Sequence, residues 1–147
     1  VEGTKFNDFL ELNRMAFSDR LPRNSESRAL SIAFKIIKKH YPHIEWIISF
    51  ADGTQCGDGT IYRASGFVLT AVRKNSTIKR LKDGTIAASH GTSKLDFTGA
   101  ETLDGFQLRY IYFLNPKAKE RLTVPILPFS KIDEMGARMY KGQKTAC

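Results

Sequence analysis

The amino-acid sequence predicts an α/β (α+β) fold in which a mixed central sheet is flanked by helices. Three features favour this class. An amphipathic helix is followed by the run Trp46–Ala51, which is almost continuously apolar, as in a central strand buried on both faces. A glycine-rich loop and a single helical turn come next, and Gly66-Phe67 then opens another strand. Because ligand crevices of open α/β sheets form beyond the carboxyl ends of strands, Asp52 at the end of the apolar run is a candidate site residue.

The first part of the chain predicts a strand and then a helix. Residues 8–17 alternate and are rich in Phe and Leu, which indicates a strand. A polar turn follows, in which Asn24 and Ser25 are candidates for the helix cap. The helix is predicted over Arg28–His40, because apolar residues recur there at i, i+3, i+4 and i+7. These residues form one buried face: Leu30, Ala33, Phe34 and Ile37. The lysines of the helix lie off that face: Lys35, Lys38 and Lys39.

The second part of the chain predicts short elements and one long aromatic strand. Lys82-Asp83-Gly84 lies between two apolar segments and has the residue types of a hairpin turn. In order, the predicted elements are a short helix over Thr60–Ser65, a strand over Gly66–Arg73, this hairpin, an aromatic strand over Gly105–Leu114, a turn or short helix over Asn115–Arg121, and an extended segment over Leu122–Ile126.

A length of 147 residues predicts one domain. We expect this domain to occupy residues 1–130, and residues 131–147, in which Gly and Lys are frequent, to form a basic and mobile tail. The sequence starts at Val1 without an initiator Met, and the segment from Phe6 onward already has a structural pattern. We therefore expect a piece of a longer protein. The start also lacks the apolar core of a signal peptide.

The charge of the chain favours a polyanionic partner. The formal net charge is +8 and the pI is about 9.6, which suits DNA or RNA. Cys56 and Cys147 do not form a disulfide scaffold, which fits a reducing cytoplasm. The three histidines lack the spacing of a zinc site. No apolar run approaches the roughly 20 residues of a membrane span, so no membrane partner is expected.

The junction before the helix has the residue types of an anion-binding site. Free N–H groups at a helix start attract anions. Arg23 and Arg28 add charged donors for phosphate, and Ser27 adds a hydroxyl. Glu26 and the absence of glycine from this segment weigh against a phosphate cradle. Simple helix capping is the alternative interpretation.

Asp52 and Tyr62 form a second candidate pair. A carboxylate after a buried strand can act as a base or bind a metal, and a tyrosine can donate a proton or a hydrogen bond. The alternative is that Asp52 forms an Asx-turn while Tyr62 packs in the core. Arg14 is a charge within the first predicted strand. It either faces solvent or reaches a site carboxylate such as Asp52 on the neighbouring strand.

Basic residues near the end of the chain alternate with aromatic ones, which is a pattern that can follow a nucleic-acid backbone. The candidates there are Lys117, Lys119 and Arg121. A solvated basic surface is the alternative. His90, in a polar loop, either contacts a phosphate or is exposed. Cys56 has no protease signature around it, and we do not expect a catalytic thiol.

Several motifs together resemble the Mom family of phage and prophage DNA-modification proteins, a divergent branch of the GNAT (N-acetyltransferase) fold. The motifs are Glu11–Ala16, Pro22–Leu30, Ser49–Asp52 and Gly59–Phe67, and Arg109–Leu114 is also similar. The resemblance spans about residues 8–126. It implies a GNAT-like mixed sheet from which the amino-terminal strands of the family are missing, so that this piece alone is expected to be inactive.

The resemblance also implies an activity. Proteins of this family convert adenine in phage DNA to a form that carries an acetamide-like (carbamoylmethyl) group on N6, and this change protects the DNA from restriction. The family's site residues correspond here to Arg14, Ser27, Asp52 and Tyr62. The implied partner is double-stranded DNA, and the implied location is the cytoplasm of the bacterial host. Iron is the metal that the resemblance suggests, near Asp52 or Tyr62.

One departure from the fold family concerns the donor. GNAT enzymes hold the pyrophosphate of coenzyme A with an Arg/Gln-x-x-Gly-x-Gly/Ala loop, whereas Arg23–Arg28 contains no glycine. Coenzyme A is therefore not the expected donor. In our main hypothesis Asp52 is the base, and Tyr62 protonates or orients the leaving group. Arg14 fixes the position of Asp52 or of the donor. Ser27, Arg23 and Arg28 bind the donor. The alternatives are a coenzyme A-dependent N-acetyltransferase acting on a small amine or protein, and a non-enzymatic DNA-binding module.

Overall fold

The computed structural model describes residues 1–13, 15–52, 59–89, 94–103, 105–135, 139–140 and 143–144. Within these ranges the helices are α1 (Ser25–His40), α2 (Thr60–Ala64) and α3 (Ser130–Glu134), and 3₁₀ turns occupy Phe6–Asp8 and Pro116–Arg121. The strands are β1 (Phe9–Leu12), β2 (Trp46–Asp52), β3 (Val68–Asn75), β4 (Ile78–Arg80), β5 (Ile86–Ala88), β6 (Glu101–Thr102), β7 (Gly105–Phe113), β8 (Met139–Tyr140) and β9 (Gln143–Lys144).

A four-stranded mixed sheet with the order β1-β2-β7-β3 forms the centre of the molecule. β1 and β2 are parallel, with Phe9 opposite Trp46, and β7 is antiparallel to both β2 and β3. α1 connects the parallel pair, as parallel strands require a long crossover connection. The predicted mixed α/β sheet is thereby confirmed, and β2 is a central strand with a neighbour on each side. The predicted burial of both faces is only partly met, because Phe50 of β2 is 38% exposed.

The hydrophobic core lies where α1 packs on this sheet. Leu108 and Tyr110 of β7 are fully buried, and Leu30 and Phe34 of α1 are each 5% exposed. The Phe34 ring stacks on Tyr112 at a centroid distance of 4.3 Å. The predicted apolar face of α1 is therefore the face that packs, and the burial of its side chains is a main source of stability.

A smaller sheet with the order β5-β4-β6 follows β3 in the chain. β4 and β5 form the hairpin that the sequence predicted at Lys82-Asp83-Gly84. Gly84 has a φ of 86°, which glycine adopts without a steric penalty. The N–H of Thr85 donates to Asp83 Oδ1 at 2.8 Å. The hydrogen bonds that the backbone and the side chain of Thr85 donate to Asp83 hold the pKa of its carboxyl below the ordinary value.

The first strand is shorter than the sequence predicted, because β1 ends at Leu12 rather than at residue 17. Leu12 is paired with Ser49 of β2, and Ser49 Oγ donates to the Leu12 carbonyl at 2.8 Å. Beyond this point Met15 packs against the core but belongs to no strand. The alternation of apolar residues after Leu12 therefore reflects burial rather than strand pairing.

The segment Leu122–Ile126, which the sequence predicts to be extended, belongs to no strand of the sheets. Leu122 itself has an extended backbone, with φ −67° and ψ 125°. A single backbone bridge follows the segment, in which the N–H of Leu127 donates to the Leu69 carbonyl at 2.8 Å. Pro125 and Pro128 lie on either side of this bridge. Because proline has no N–H, neither residue can extend the bridge into a ladder.

The packed part of the chain extends past residue 130. Ile132 of α3 is 1% exposed and belongs to the hydrophobic core. The domain boundary predicted at residue 130 coincides with the first residue of α3 and stays a prediction. α1 begins at Ser25, earlier than the predicted Arg28. No helix in the described ranges is both long and apolar enough to cross a membrane.

Candidate functional site

Two clefts of about 370 Å³ each adjoin the contact between α1 and α2. The first, here called the helix-start cleft, is formed by residues in the range 17–24, the first turn of α1 and one side of α2. The second, here called the basic groove, follows α1 from Ser27 to Lys38 and is closed by the end of α2 and by Tyr112. Ser27 and Ala64 line both clefts, so the two clefts are adjacent.

The start of α1 has an unusual backbone. Asn24 occupies the N-cap position in the left-handed conformation, with φ 69° and ψ 15°. Its carbonyl accepts hydrogen bonds from the N–H of Arg28 and from Ser27 Oγ, both at 3.1 Å. Its side chain makes no capping hydrogen bond, contrary to the prediction for this residue. The first-turn N–H groups that an N-cap side chain would satisfy are thus left for a ligand or solvent.

The helix-start cleft is not a strongly positive site. Arg23 is the cation among its lining residues, and Asp19 and Glu26 are carboxylates. A pyrophosphate would therefore meet more negative than positive charge here. The structure brings together Arg23 and Ser27, two of the three predicted donor-binding residues. Arg28, the third, lines the basic groove instead.

α2 is held against the sheet through Gly59 and Tyr62. Gly59 has a φ of 75°, and a Cβ added to it would lie 2.6 Å from the Tyr110 ring. The Tyr62 ring packs on Phe67 and Tyr110, at centroid distances of 5.2 and 5.3 Å. Tyr62 is thus half-buried on the core side of α2. The side of α2 that lines the helix-start cleft consists of other residues: Thr60, Ile61 and Ala64.

The backbone of Asp52 ends β2 and is paired with Gln107 of β7. Asp52 is therefore at the carboxyl end of a central strand, as the sequence predicted. Its side chain lies outside the described part of the structure, as do Arg14, His90 and Cys56. The catalytic roles of Asp52 and Arg14, and the phosphate contact of His90, stay predictions.

The predicted nucleic-acid residues after β7 have different surroundings. Lys117 and Lys119 are exposed. Arg121 donates to the carboxylate of Glu45 and, at 2.7 Å, to the carbonyl of Glu2. Arg121 therefore ties the amino-terminal segment to the rest of the domain, and the two lysines are the residues of this set that remain open to a partner.

The basic groove is a feature that was not predicted from the sequence. Its cations are Arg28, Lys35 and Lys38, and all three side chains are exposed. Ser31 lies between them on the same side of α1, and no carboxylate is among the residues that line the groove. The spacing i, i+3, i+7, i+10 of these four polar residues is the signal that identifies such a stripe on a helix.

Arg109 in β7 is a second unanticipated feature. Its Nε donates to Thr70 Oγ1 at 2.9 Å, and this hydroxyl donates in turn to the Arg109 carbonyl at 3.2 Å. Burial lowers the pKa of Arg109, and the neighbouring charge of Arg73 lowers it further. The sequence feature that could have identified Arg109 is a charged residue within an aromatic strand. The contact with Thr70 gives Arg109 a clear structural role in joining β3 to β7.

The iron that the resemblance suggests would need several His, Cys or carboxylate ligands. Within the residues that the structure describes, no three His, Cys, Asp or Glu side chains are grouped so that they could hold a metal ion. The side chain of Asp52 lies outside these residues, and iron near Asp52 or Tyr62 therefore stays a prediction.

Comparison with known proteins gives two findings. The sequence matches the model of the Mom protein family over residues 1–131. It is also 35% identical over 131 residues to a protein named methylcarbamoylase Mom from Escherichia phage Mu, in an alignment that covers 80% of this chain and 53% of that relative. The chain thus spans about half the length of this curated relative. The family match includes every residue that lines the two clefts.

Proposed function

Because the chain belongs to the Mom protein family, we propose that it is a DNA-modification enzyme that adds an acetamide-like (carbamoylmethyl) group to N6 of adenine in double-stranded DNA. The modified DNA would resist restriction endonucleases. The observation that carries this proposal is the family match, since it extends over residues 1–131 and so includes both clefts. The name of the phage Mu relative, a methylcarbamoylase, supports a group-transfer reaction.

The proposal includes a divergent GNAT fold. The observed order β1, α1, β2, α2, β3, with Gly66-Phe67 just before β3, is the order of elements on which the resemblance depends. The helix-start cleft is lined by residues of the connection between β1 and α1 and by the first turn of α1. Connections that follow the carboxyl ends of strands are where open α/β sheets usually bind ligands.

The reaction requires a base and a positioned donor, because the exocyclic amine of adenine is a poor nucleophile. In our proposal Asp52 accepts a proton from N6 while the bond from N6 to the donor carbon forms. The bond to the leaving group breaks at the same carbon, and Tyr62 donates a proton to that group or orients it. This role requires the leaving group to extend past the residues that line the cleft, because Tyr62 packs on the core side of α2. Arg14 fixes Asp52 or the donor. The paired adenine must first leave the duplex stack, as in other enzymes that act on bases.

The helix-start cleft is the proposed donor site. Its volume of about 370 Å³ is within the range of small-molecule pockets. Arg23 and Ser27 would hold an anionic part of the donor beside the first turn of α1. The carboxylates of Asp19 and Glu26 disfavour a pyrophosphate at this place, which supports a donor other than coenzyme A. Arg28 lines the basic groove and not this cleft, so it is not among the proposed donor-binding residues.

Nucleoside mass spectrometry tests the proposal. The protein, with all the sequence of its reading frame, is expressed in bacteria, and the DNA of the cells is digested to nucleosides. We expect a heavier deoxyadenosine species with the wild type and its loss with Asp52→Asn, which cannot accept the N6 proton. Asp83→Asn is the matched control, since Asp83 is an exposed carboxylate of the hairpin. It should retain the modification.

Unmodified deoxyadenosine in cells that contain folded wild-type protein would contradict the proposal. Titration with coenzyme A would then test the acetyltransferase alternative. A heavier deoxyadenosine that persists with Asp52→Asn would leave the DNA-modifying activity in place and remove Asp52 from the role of base.

A further inference from the structure

We propose that the basic groove binds the phosphate backbone of the DNA strand beside the target adenine. This inference rests on the proposed function, because it takes double-stranded DNA as the substrate. The cations that would contact the phosphates are Arg28, Lys35 and Lys38, which lie along one side of α1.

The groove carries positive charge that no lining carboxylate balances. Arg28, Lys35 and Lys38 are all exposed, and no Asp or Glu is among the lining residues. The ion pairs found between described residues involve other cations: Arg80, Arg121 and Lys131. A row of uncompensated cations suits a polyanion, since each contact with a phosphate releases a condensed counterion from the DNA.

The length of the groove suits a DNA strand. Arg28 and Lys38 lie within one helix, and their separation along its axis is about 15 Å at 1.5 Å per residue. One strand of duplex DNA advances about 3.4 Å along the helix axis for each phosphate, so the groove is as long as about four base-pair steps of the duplex axis. The long, flexible side chains of Lys35 and Lys38 can adjust to neighbouring phosphates within that length.

The two clefts also differ in charge in a way that fits the reaction, because carboxylates line the helix-start cleft and cations line the basic groove. The basic groove and the helix-start cleft are adjacent, since Ser27 and Ala64 line both of them. A strand held in the groove would therefore pass directly beside the proposed donor site. The carboxylates Asp19 and Glu26 repel the backbone from the helix-start cleft, which leaves that cleft for the donor and for the adenine that has left the stack.

The surface after β7 is a weaker candidate for this contact. It offers Lys117 and Lys119, but Glu120 follows them directly and Arg121 is engaged with Glu45. Its uncompensated positive charge is therefore smaller than that of the basic groove. The sequence alone favoured this surface because the basic and aromatic residues are close in the chain, which does not report how the charges are paired in space.

Fluorescence anisotropy of a labelled adenine-containing duplex, measured over a range of salt concentrations, tests the groove. We expect Lys35→Gln/Lys38→Gln to reduce the slope of log Kd against log salt by about 1.8, since each lost phosphate contact removes about 0.9. The single variants Lys38→Gln and Lys39→Gln form a matched pair of neighbours on α1, of which only Lys38 lines the groove. Lys38→Gln should reduce the slope by about 0.9, and Lys39→Gln should leave it unchanged.

A wild-type slope for Lys35→Gln/Lys38→Gln would overturn the proposal. An equal loss with Lys39→Gln, or a larger loss with Lys117→Gln/Lys119→Gln, would also overturn it. Glutamine has nearly the helix propensity of lysine, so the variants should fold, which circular dichroism verifies.

Mass spectrometry of the same variants separates this inference from the proposed function. If DNA binding depends on the groove but the wild-type protein leaves deoxyadenosine unmodified, the role of the groove is supported and the proposed DNA-modifying activity is contradicted. Modification that persists with unchanged binding in Lys35→Gln/Lys38→Gln would contradict the groove alone.

Discussion

Among single residues, Gly59 controls where the proposed catalytic Tyr62 can lie. Gly59 precedes α2 in the left-handed conformation, with a φ of 75°. A Cβ at this position would lie 2.6 Å from the ring of Tyr110, which is fully buried and packs on Tyr62. A side chain at position 59 would therefore overlap the Tyr110 ring, which is one of the two rings on which Tyr62 packs.

We expect Gly59→Ala to reduce the free energy of unfolding by about 2–4 kcal/mol, from the left-handed backbone and the overlap with Tyr110 together. Gly84→Ala is the matched control, because Gly84 also has a positive φ but no atom lies within 4 Å of its added Cβ. Its loss should be limited to about 1–2 kcal/mol. Urea denaturation of both variants gives the comparison. Equal losses would show that the Tyr110 ring does not constrain Gly59.

The residues of the helix junction show what sequence order could and could not predict about the site. Arg23, Ser27 and Arg28 are close in the chain, and their chemistry predicted a single anion-binding surface. A helix turns by 100° per residue, so neighbours in sequence line different sides of it. Ser27 reaches both clefts, whereas Arg28 lies with Lys35 and Lys38 in the basic groove. The residue types predicted an anionic ligand. Which cleft each residue lines depends on the geometry of the helix, which the order of residues in the sequence does not show.

Among the secondary-structure elements, the end of β1 determines where the segment that forms the helix-start cleft begins. Leu12 is the last residue of β1 and is paired with Ser49 of β2. Ser49 is fully buried, and its Oγ donates to the Leu12 carbonyl at 2.8 Å. The hydroxyl therefore fixes the last backbone pair before the chain leaves the sheet towards α1.

Ser49→Ala should leave the Leu12 carbonyl without this donor and reduce the free energy of unfolding by about 1 kcal/mol. The amides of β1 should also exchange with solvent faster, because this edge strand is then less firmly held. Ser65→Ala is the control, since the Ser65 hydroxyl makes an exposed local bond to the Ile61 carbonyl. Its effect should stay within about 0.5 kcal/mol. Unchanged exchange in β1 of Ser49→Ala, measured by mass spectrometry, would argue against this role.

Some elements could be predicted from sequence because they carry their own periodicity. α1 has a helical repeat of apolar residues, and the aromatic sequence of β7 is typical of a strand. The end of β1 and the bridge at Leu127 depend instead on Ser49 and Leu69, which are distant in the chain. The order of the strands in the sheet also depends on contacts between residues that are distant in the chain. Patterns within a segment report its burial, while its pairing partners are fixed only by the complete fold.

Over the whole molecule, contacts between distant segments hold α2 and the two ends of the family-matched region on one core. The N–H of Glu2 donates to the Arg121 carbonyl at 2.9 Å, and Arg121 donates back to the Glu2 carbonyl. The Arg63 guanidinium of α2 lies 4.5 Å from the centroid of the Phe129 ring, just before α3. Such a contact between a cation and an aromatic face contributes about 0.5–2 kcal/mol. α3 is therefore connected to the element that carries Tyr62.

The extent of the folded domain can be tested at Ile132, which is 1% exposed in α3 and packs in the core. We expect Ile132→Ala to reduce the free energy of unfolding by about 2–4 kcal/mol, because it removes buried methyl groups and leaves a cavity. Met135→Ala, at a position 39% exposed, is the matched control and should cost less than about 1 kcal/mol. Chemical denaturation of the 147-residue chain measures both. If the two variants are equally stable, α3 lies outside the domain and the boundary predicted at residue 130 holds. If only Ile132→Ala is destabilised, α3 is part of the core on which α2 and its Tyr62 rest.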